Sequence, residues 1–550
     1  MNIRLTAAGA ALAACTTICA GNGPASLTTD SISHNDSIHR ESSLGEVAVV
    51  ARRAGTTRMR GAVNGFNLNR EELFRAACCN LGESFTTNPA VDVSYNDATT
   101  GARQIKLLGL AGTYVQMMTE NMPNFRGAAA PCALGYVPGP WMKGIQVSKG
   151  AASVKNGYEA ITGQINVDYK KPEDEEGIEV NLFGDTKSRI EANADANLHI
   201  NKQLSTEVLM HYENSFENHD DNGDGFYDKP KVEQYNLQNR WLWAGEKYIF
   251  HGGIGALKEH RNGGQTGHRG NDGAELFRIG LDTERYEAYM KHAFIIDRHK
   301  GTNIALMASG SMHMLDAGYG HKTYDVNEKN VYASLVFETN FTKMHNLSAG
   351  LSLNHDYLGQ TVRMVNDKEA SPVRMNEKET VPGIYAQYTF NLDHRLTAMA
   401  GIRADHSSVY GTFVTPRLHL KYMPTDILTL RLSAGKGYRT PHALAENNYL
   451  LASGRRLVID DLEQEEAWNY GASAALNIPL LGETLKLNAE YYYTRFTAQA
   501  VTDYDTDPGV IHIGNLNGKS YSHTLQIDAT YPIFKGMTLT AAYRLNDGKA

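Results

Sequence analysis

Apolar and polar residues alternate along most of the chain after Pro172. In one such segment Leu485, Leu487 and Ala489 take one face, and Lys486 and the other intervening positions are polar. Further segments with the same two-residue period are 347–353, 384–390, 418–422 and 428–434. Successive side chains of a β-strand point to opposite faces, so the pattern predicts strands with one apolar and one polar face.

Past the N-terminus no run of about 20 apolar residues occurs, which excludes a helical membrane span. Strands of a transmembrane barrel alternate lipid-facing and interior-facing residues, so their average hydropathy stays low. Tight turns such as Asp393-His394 alternate with long polar loops such as 259–284 and 443–463, as in outer-membrane barrels. The sequence therefore predicts an all-β transmembrane barrel over 173–550, with about 17 strands present. A soluble β-sandwich or propeller would also alternate and is the alternative.

The first 55 residues carry targeting and tethering signals. Residues 1–21 combine a basic Arg4, an apolar stretch and small residues near position 20, which is typical of a signal peptide. Alternatively, the box Leu12-Ala13-Ala14-Cys15 is typical of lipoproteins and would leave a lipid on Cys15. Residues 22–55 begin with a polar stretch that buries almost nothing, so we expect a flexible leader. The leader includes a short β-branched segment near its end.

Residues 56–172 have a mixed character that differs from the alternation that follows. A helix is expected around 69–77, and short apolar strands are separated by many glycines. Gly150, Gly157 and Gly163 lie between short strands, where chain reversal requires positive φ or close backbone approach. We therefore predict a compact α+β domain over this range.

Four segments resemble the TonB-dependent outer-membrane receptors. In the α+β domain these are 105–123 and, most diagnostically, 141–172, which contains the three glycines at the family's spacing. In the barrel they are 435–441 and 462–471. The sequence departs from the family at Leu108, where Arg is usual, and at Asn121, where Gly is usual.

The resemblance implies a barrel of about 22 strands with the α+β domain as a plug in its interior. It also implies a TonB box, the strand that the TonB-type energy-transducing complex binds by strand addition. Its residues would be Glu46, Val47, Ala48, Val49 and Val50. An ordinary first strand of the plug is the alternative.

By the same resemblance, the chain lies in outer-membrane lipid and imports a small metal chelate, such as a siderophore, haem or a cobalamin-like ligand. Copper or another soft metal is the alternative cargo. A non-transporting surface β protein is a rival function. Since about 17 strands fall short of 22 and no terminal aromatic residue follows Arg544, we also expect an incomplete barrel, which could be an inactive receptor fragment.

Two groups of residues suggest metal ions. Oxygen donors alternate in the acidic segment 220–228, as at the start of a calcium loop, although no Glu stands at the twelfth position. The candidate Ca²⁺ ligands are Asp220, Asn222, Asp224 and Asp228. Soft donors that could contact copper are Cys78, Cys79, Met117, Met118 and Met122. The alternatives are a solvated acidic loop for the first group and ordinary core packing for the second.

Other functions are not supported by the sequence. No nucleophile elbow, His-Glu-x-x-His motif or phosphate-binding glycine loop occurs, so we expect no enzyme activity. The formal net charge of -8 is small for 550 residues and does not predict a nucleic-acid partner. No cofactor is required by these expectations, apart from the possible Ca²⁺.

Overall fold

The structure is a computed structural model. It describes residues 3–8, 57–76, 79–267, 275–365, 371–393, 395–534 and 537–549. Within 1–21, only the backbone strand β1 (Ile3–Ala8) is described, and it pairs in parallel with the first strand of the large sheet. Signal-peptide cleavage and lipidation of Cys15 therefore stay predictions. The TonB box and Cys78 lie outside the described residues.

A small mixed sheet organises the region that we call the plug, residues 57–172. The strands of the plug are Thr57–Arg58 (β2), Gly65–Asn69 (β3), Asp92–Tyr95 (β4), Arg103–Lys106 (β5), Val115–Thr119 (β6), Met122–Pro123 (β7), Met142–Lys149 (β8) and Gly163–Tyr169 (β9). Six of them form one sheet in the order β2-β3-β8-β9-β6-β7, and β4 pairs with β5. The helix predicted around 69–77 is observed at Arg70–Arg75 (α1), where the Asn69 side chain accepts the amide hydrogen of Glu72 as an N-cap.

Further strands follow the plug, and most of them are long and antiparallel. They are Gly177–Gly184 (β10), Arg189–His199 (β11), Leu204–Ser215 (β12), Lys231–Ala244 (β13), Tyr248–Gly264 (β14), Arg278–Asp297 (β15), Thr302–Tyr319 (β16), Lys322–Thr342 (β17), His345–Met364 (β18), Val373–Leu392 (β19), Leu396–Ser407 (β20), Gly411–Thr425 (β21), Leu428–Arg439 (β22), Arg456–Ile459 (β23), Glu465–Leu480 (β24), Glu483–Ala498 (β25), Ala500–Asp503 (β26), Val510–Asn515 (β27), Ser520–Phe534 (β28) and Met537–Lys549 (β29). The short strands β23, β27 and β26 form a separate sheet. The others are the barrel strands, and in the described chain they agree with the prediction of about 17.

Connections of very different length lie at the two ends of the barrel strands. At one end, the turn side, strands are joined by turns such as 200–203, 245–247, 343–344 and 426–427. The opposite end, the loop side, carries 216–230, 440–464 and 499–519. The helix Ala443–Glu446 (α2) lies in the second of these loops. The predicted loop 259–284 was too long, because β14 continues to Gly264 and β15 begins at Arg278; polar residues there belong to strands.

Barrel strands are apolar on the outside and polar on the inside. On β13, Leu237, Trp241 and Trp243 are exposed, whereas Gln238 and Arg240 are buried. A soluble sandwich would bury the apolar face instead. The inverted pattern is the one expected of strands that face lipid. Among the described residues, no helix is long and apolar enough to cross a membrane.

The large sheet curves around the plug, because plug residues bond to strands along its whole order. Glu120 contacts β13, Ala128 contacts β17, Ser153 contacts β19, and Lys149 contacts β25. At the far end of the order, Asp92 forms an ion pair with an arginine of β29. The plug thus fills the space that the polar faces of the strands enclose.

Candidate ligand-binding site between the plug and the loops

A cavity of about 1050 Å³, including space open to solvent, lies where the plug meets the loop side of the barrel. We call it the upper cavity. The plug contributes one wall, barrel strands β18 and β19 contribute another, and the segment from the end of β22 into α2 covers it. Its charged lining residues are Arg103, Arg126, Glu159, Asp356, Glu379, Arg439, His442 and Glu446.

Arg126 joins the plug to the barrel in this cavity. It follows Phe125, which adopts a positive φ of 57° and so turns the chain after β7. Its guanidinium donates to Glu159 at 2.7 Å, to Asn354 at 3.2 Å and to Asp356 at 3.5 Å. Burial lowers the pKa of Arg126, but these carboxylates outweigh burial and raise it. Arg126 therefore stays charged, and its charge is already neutralised by the protein.

Arg439 has the same role at the other side of the cavity. Its guanidinium donates to Glu446 of α2 and to Glu465 at the start of β24. The hydroxyl of Tyr114 in the plug donates to the same Glu465 at 2.8 Å. Burial and the charge of Glu465 raise the pKa of Tyr114, so this hydroxyl stays a donor. One buried network thus links plug, strand and loop.

His442 connects the covering loop to the barrel wall. Its Nδ1 lies 2.7 Å from a carboxylate oxygen of Glu377. Burial lowers the pKa of His442, but the hydrogen bond to Glu377 and the charges of Glu377 and Glu446 more than offset burial and raise the pKa to about 9. His442 is therefore a cation at neutral pH.

Because of the His442–Glu377 ion pair, we expect the stability of the folded protein to depend on pH. The folded pKa lies above the ordinary value of about 6.5, so the pair stabilises fully below that pH and loses its effect as the pH rises through about 9. We expect His442→Gln to lower the melting temperature at pH of about 6 and to have little effect at pH of about 10. Glu377→Gln should show the same dependence. An equal loss at both pH values would contradict the assignment.

A second charged cluster lies deeper, between the plug turn and β13–β15. Glu120, which is 2 % exposed, accepts from Arg240 at 2.5 Å and from Lys291 at 3.2 Å. Burial raises the pKa of Glu120, but Arg240 and Lys291 outweigh burial and hold it well below the usual range. The backbone amide of Tyr169 also donates to this carboxylate. This cluster fixes the plug to the barrel. Its carboxylate already has cations and an amide donor of the protein as partners.

The predicted calcium segment adopts a compact loop. Oxygens of Asp220, Asn222, Asp224 and Asp228 accept backbone amide hydrogens within the segment. Over the described ranges, no group of three or more His, Cys, Asp or Glu is arranged to hold a metal ion. Calcium binding therefore stays a prediction. The side-chain oxygens that would bind Ca²⁺ already accept hydrogen bonds from backbone amides of the loop.

The predicted soft donors do not form one surface. Met117 lines the upper cavity, while Met118 is completely buried. Met122 packs against Met307 in a separate cluster, and the thiol of Cys79 is buried. Burial and the charge of Glu191 raise the pKa of the Cys79 thiol, so it does not ionise to a ligand-like thiolate in this state. A role in soft-metal binding stays a prediction.

Sequence reasoning missed the residues that build the upper cavity. Arg439 lies in the segment 435–441 and Glu465 in the segment 462–471, so both were part of the family resemblance. Their ion pair joins these two segments in the fold. Other lining residues, such as Gln116 and Glu159, also lie in segments that resemble the family, but those segments did not indicate a ligand site. Asp356 and Glu379 had no local signal, because they lie on barrel strands far from the plug in sequence.

Comparison with known proteins identifies the family. Residues 210–550 match the family described as TonB dependent receptor-like, beta-barrel. We found no match among curated proteins. The copper transporter OprC has a similar solved structure, with a TM-score of 0.70, 13% identity and coverage of 91% of this chain and 81% of that chain.

Two further solved structures have the same fold. The siderophore receptor PirA from Acinetobacter baumannii has a TM-score of 0.66 and 14% identity, covering 85% of this chain and 78% of that one. The alcaligin outer-membrane receptor FauA from Bordetella pertussis has a TM-score of 0.65 and 13% identity, covering 89% and 81%. The predicted barrel with an α+β plug is confirmed, and the chain belongs to the TonB-dependent receptors of the outer membrane.

Proposed function

We propose that this receptor imports a metal chelate across the outer membrane by binding it in the upper cavity and opening the plug when the TonB box is pulled. The observation that supports the proposal is the position of the cavity. It lies on the loop side, and one wall is plug while the others are barrel and loop. A movement of the plug would therefore change the ligand site and at the same time open a route through the barrel interior.

The contacts across the cavity suit such a movement. Arg126 and Tyr114 of the plug bond to side chains of the barrel, so plug displacement would break ion pairs and hydrogen bonds without breaking covalent structure. Known relatives of the same fold include a siderophore receptor, a receptor for alcaligin and a copper transporter. Copper is the second candidate cargo, because Met117 presents a soft donor at the same cavity.

Deleting 46–50 tests energy coupling. We expect the deletion to abolish uptake, because the strand that the TonB-type complex would bind is removed. Uptake would be measured as accumulation of a labelled ferric siderophore, haem or copper in cells that lack their other receptors. Deletion of 31–35 in the same leader is the control of equal length and should leave uptake unchanged.

The binding of the cargo to purified receptor should survive the deletion of 46–50. Unchanged uptake in the deletion variant would contradict the proposal and favour a non-transporting surface protein. Gel migration with and without boiling should accompany both variants, since a shift of the unboiled band reports a folded barrel.

A further inference from the structure

The carboxylates in the lining of the upper cavity and directly behind it outnumber the cations. Each of its cations already has a carboxylate partner: Arg103 contacts Glu83 at 3.7 Å, and Arg126, Arg439 and His442 are paired as described above. One carboxylate lacks such a partner. Glu379 accepts only from the hydroxyls of Ser407 and Thr440 among the described residues, although it is 94 % buried.

The balance of charge is therefore negative. Four cations and four carboxylates line the cavity: Arg103, Arg126, Arg439 and His442, and Glu159, Asp356, Glu379 and Glu446. Behind the lining, Glu377 contacts His442 and Glu465 contacts Arg439, whereas Glu83 is shared between Arg103 and a further cation, Arg189. A buried charge without a counter-charge is costly in a medium of low dielectric constant. The cavity thus carries an unfavourable excess of negative charge that a cation would neutralise.

The unpartnered polar atoms in the cavity wall are mostly acceptors, which also favours a ligand with hydrogen-bond donors. Gln116 is 4 % exposed, and its amide nitrogen donates to the carbonyl of Asn156 at 2.7 Å. That bond fixes the amide orientation, so its buried oxygen is an acceptor, and no described residue donates to it. One side-chain oxygen each of Asn96 and Asp356 is also buried without a donor among the described residues. Against these three acceptors stands one unpartnered donor, Nε of Arg126.

We propose that the upper cavity selects a ligand with net positive charge and hydrogen-bond donors, that is, a cationic metal complex in preference to an anionic chelate. The inference rests on the proposed function and specifies its substrate class. A cationic complex would pair with Glu379, the lining carboxylate that has no counter-charge. An anionic chelate of the same size would meet like charge in a partly desolvated site, and such repulsion is how proteins exclude wrong partners.

Two inert cobalt complexes test the charge preference directly. Hexaamminecobalt(III) is a cation with N–H donors, and hexacyanocobaltate(III) is an octahedral anion with acceptors only. Neither exchanges its ligands readily, so binding reports the cavity and not coordination by protein side chains. Equilibrium dialysis of the purified full chain in detergent, at about 150 mM salt to screen exposed charges, measures the bound cobalt.

We expect the cation to bind at least about tenfold more tightly than the anion, which corresponds to about 1.4 kcal/mol. Glu379→Gln should reduce binding of the cation, because it removes the unpaired charge and keeps the size of the side chain, while one acceptor oxygen becomes an amide donor. The matched control is Asp426→Asn, which makes the same charge change at an exposed position on the turn side. It should leave cation binding unchanged.

Failure of the cation to bind, equal or tighter binding of the anion, or equal effects of Glu379→Gln and Asp426→Asn would each overturn the proposal. The boiling-dependent gel shift confirms that each variant is folded. Dialysis involves no energy source and no TonB-type partner. A negative result here with normal uptake in cells would therefore reject the charge preference and leave the transport function standing.

Discussion

Replacing Arg240 with alanine is expected to destabilise the receptor by about 3–5 kcal/mol, the usual cost of removing one partner of a buried ion pair. The guanidinium of Arg240 is fully buried, and it contacts Glu120 of the plug at 2.5 Å and the Tyr289 hydroxyl at 2.9 Å. Without it, the Glu120 carboxylate keeps one ion-pair partner, the ammonium of Lys291 at 3.2 Å, and the weaker charge interaction with Lys171. The remaining charge would be buried without sufficient compensation.

Thermal unfolding followed by circular dichroism and by loss of the gel shift would measure this effect. The control is Lys258→Ala, which removes an interstrand pair with Glu284 whose side chains are 53% and 41% exposed. Such a pair contributes about 0–1 kcal/mol. Similar melting temperatures for the two variants would show that the buried cluster does not hold the plug.

Replacing Arg417 with alanine is expected to release a different part of the plug. This buried side chain of β21 donates to four plug carbonyls, those of Ala152, Ser153, Tyr158 and Ala160, at 3.1 to 3.4 Å. The carbonyls of Ser153 and Tyr158 keep backbone amide donors, those of Asn156 and Tyr438. A buried acceptor left without a donor costs about 1–3 kcal/mol, so we expect a total loss of about 2 kcal/mol or more from the other carbonyls.

Limited proteolysis with cleavage sites mapped by mass spectrometry would detect the released segment. In Arg417→Ala, cleavage within 150–163 should increase while the barrel strands stay protected. Arg417→Lys is the matched variant, because it keeps the charge but cannot present the same planar set of donors. It should give an intermediate result. Protection equal to that of the unchanged protein in both variants would refute a role for Arg417 in holding this segment.

The barrel was predictable because each strand records its environment in its own sequence. The alternation at 428–434 corresponds to β22, where Leu432 is exposed and Arg431 is buried. The two-residue period alone could not show whether the apolar face of each strand contacts lipid or a protein core. The plug segments resolved that ambiguity in favour of a membrane barrel.

The ligand cavity was not predictable in the same way. Glu159, Asp356 and Glu379 lie far apart in sequence, and Asp356 and Glu379 occur in segments whose local pattern is ordinary for barrel strands. Their proximity depends on how the plug is seated inside the barrel, which no local pattern encodes. The acidic loop 220–228 illustrates the opposite error, because a motif with ligand-like spacing can use its oxygens to bind its own amides.

The order of strands in the plug sheet has a mechanical consequence. A force transmitted through the leader enters the described fold at β2, which is an edge strand held to β3 by only two residue pairs. Just beyond it, the carbonyls of Met59 and Arg60 accept from Arg431 and Lys421 of the barrel wall. Unfolding of the plug sheet under force would therefore start with the β2–β3 pairs at its edge and continue strand by strand towards the centre of the sheet. The work needed to begin opening is small compared with that of extracting the whole plug at once.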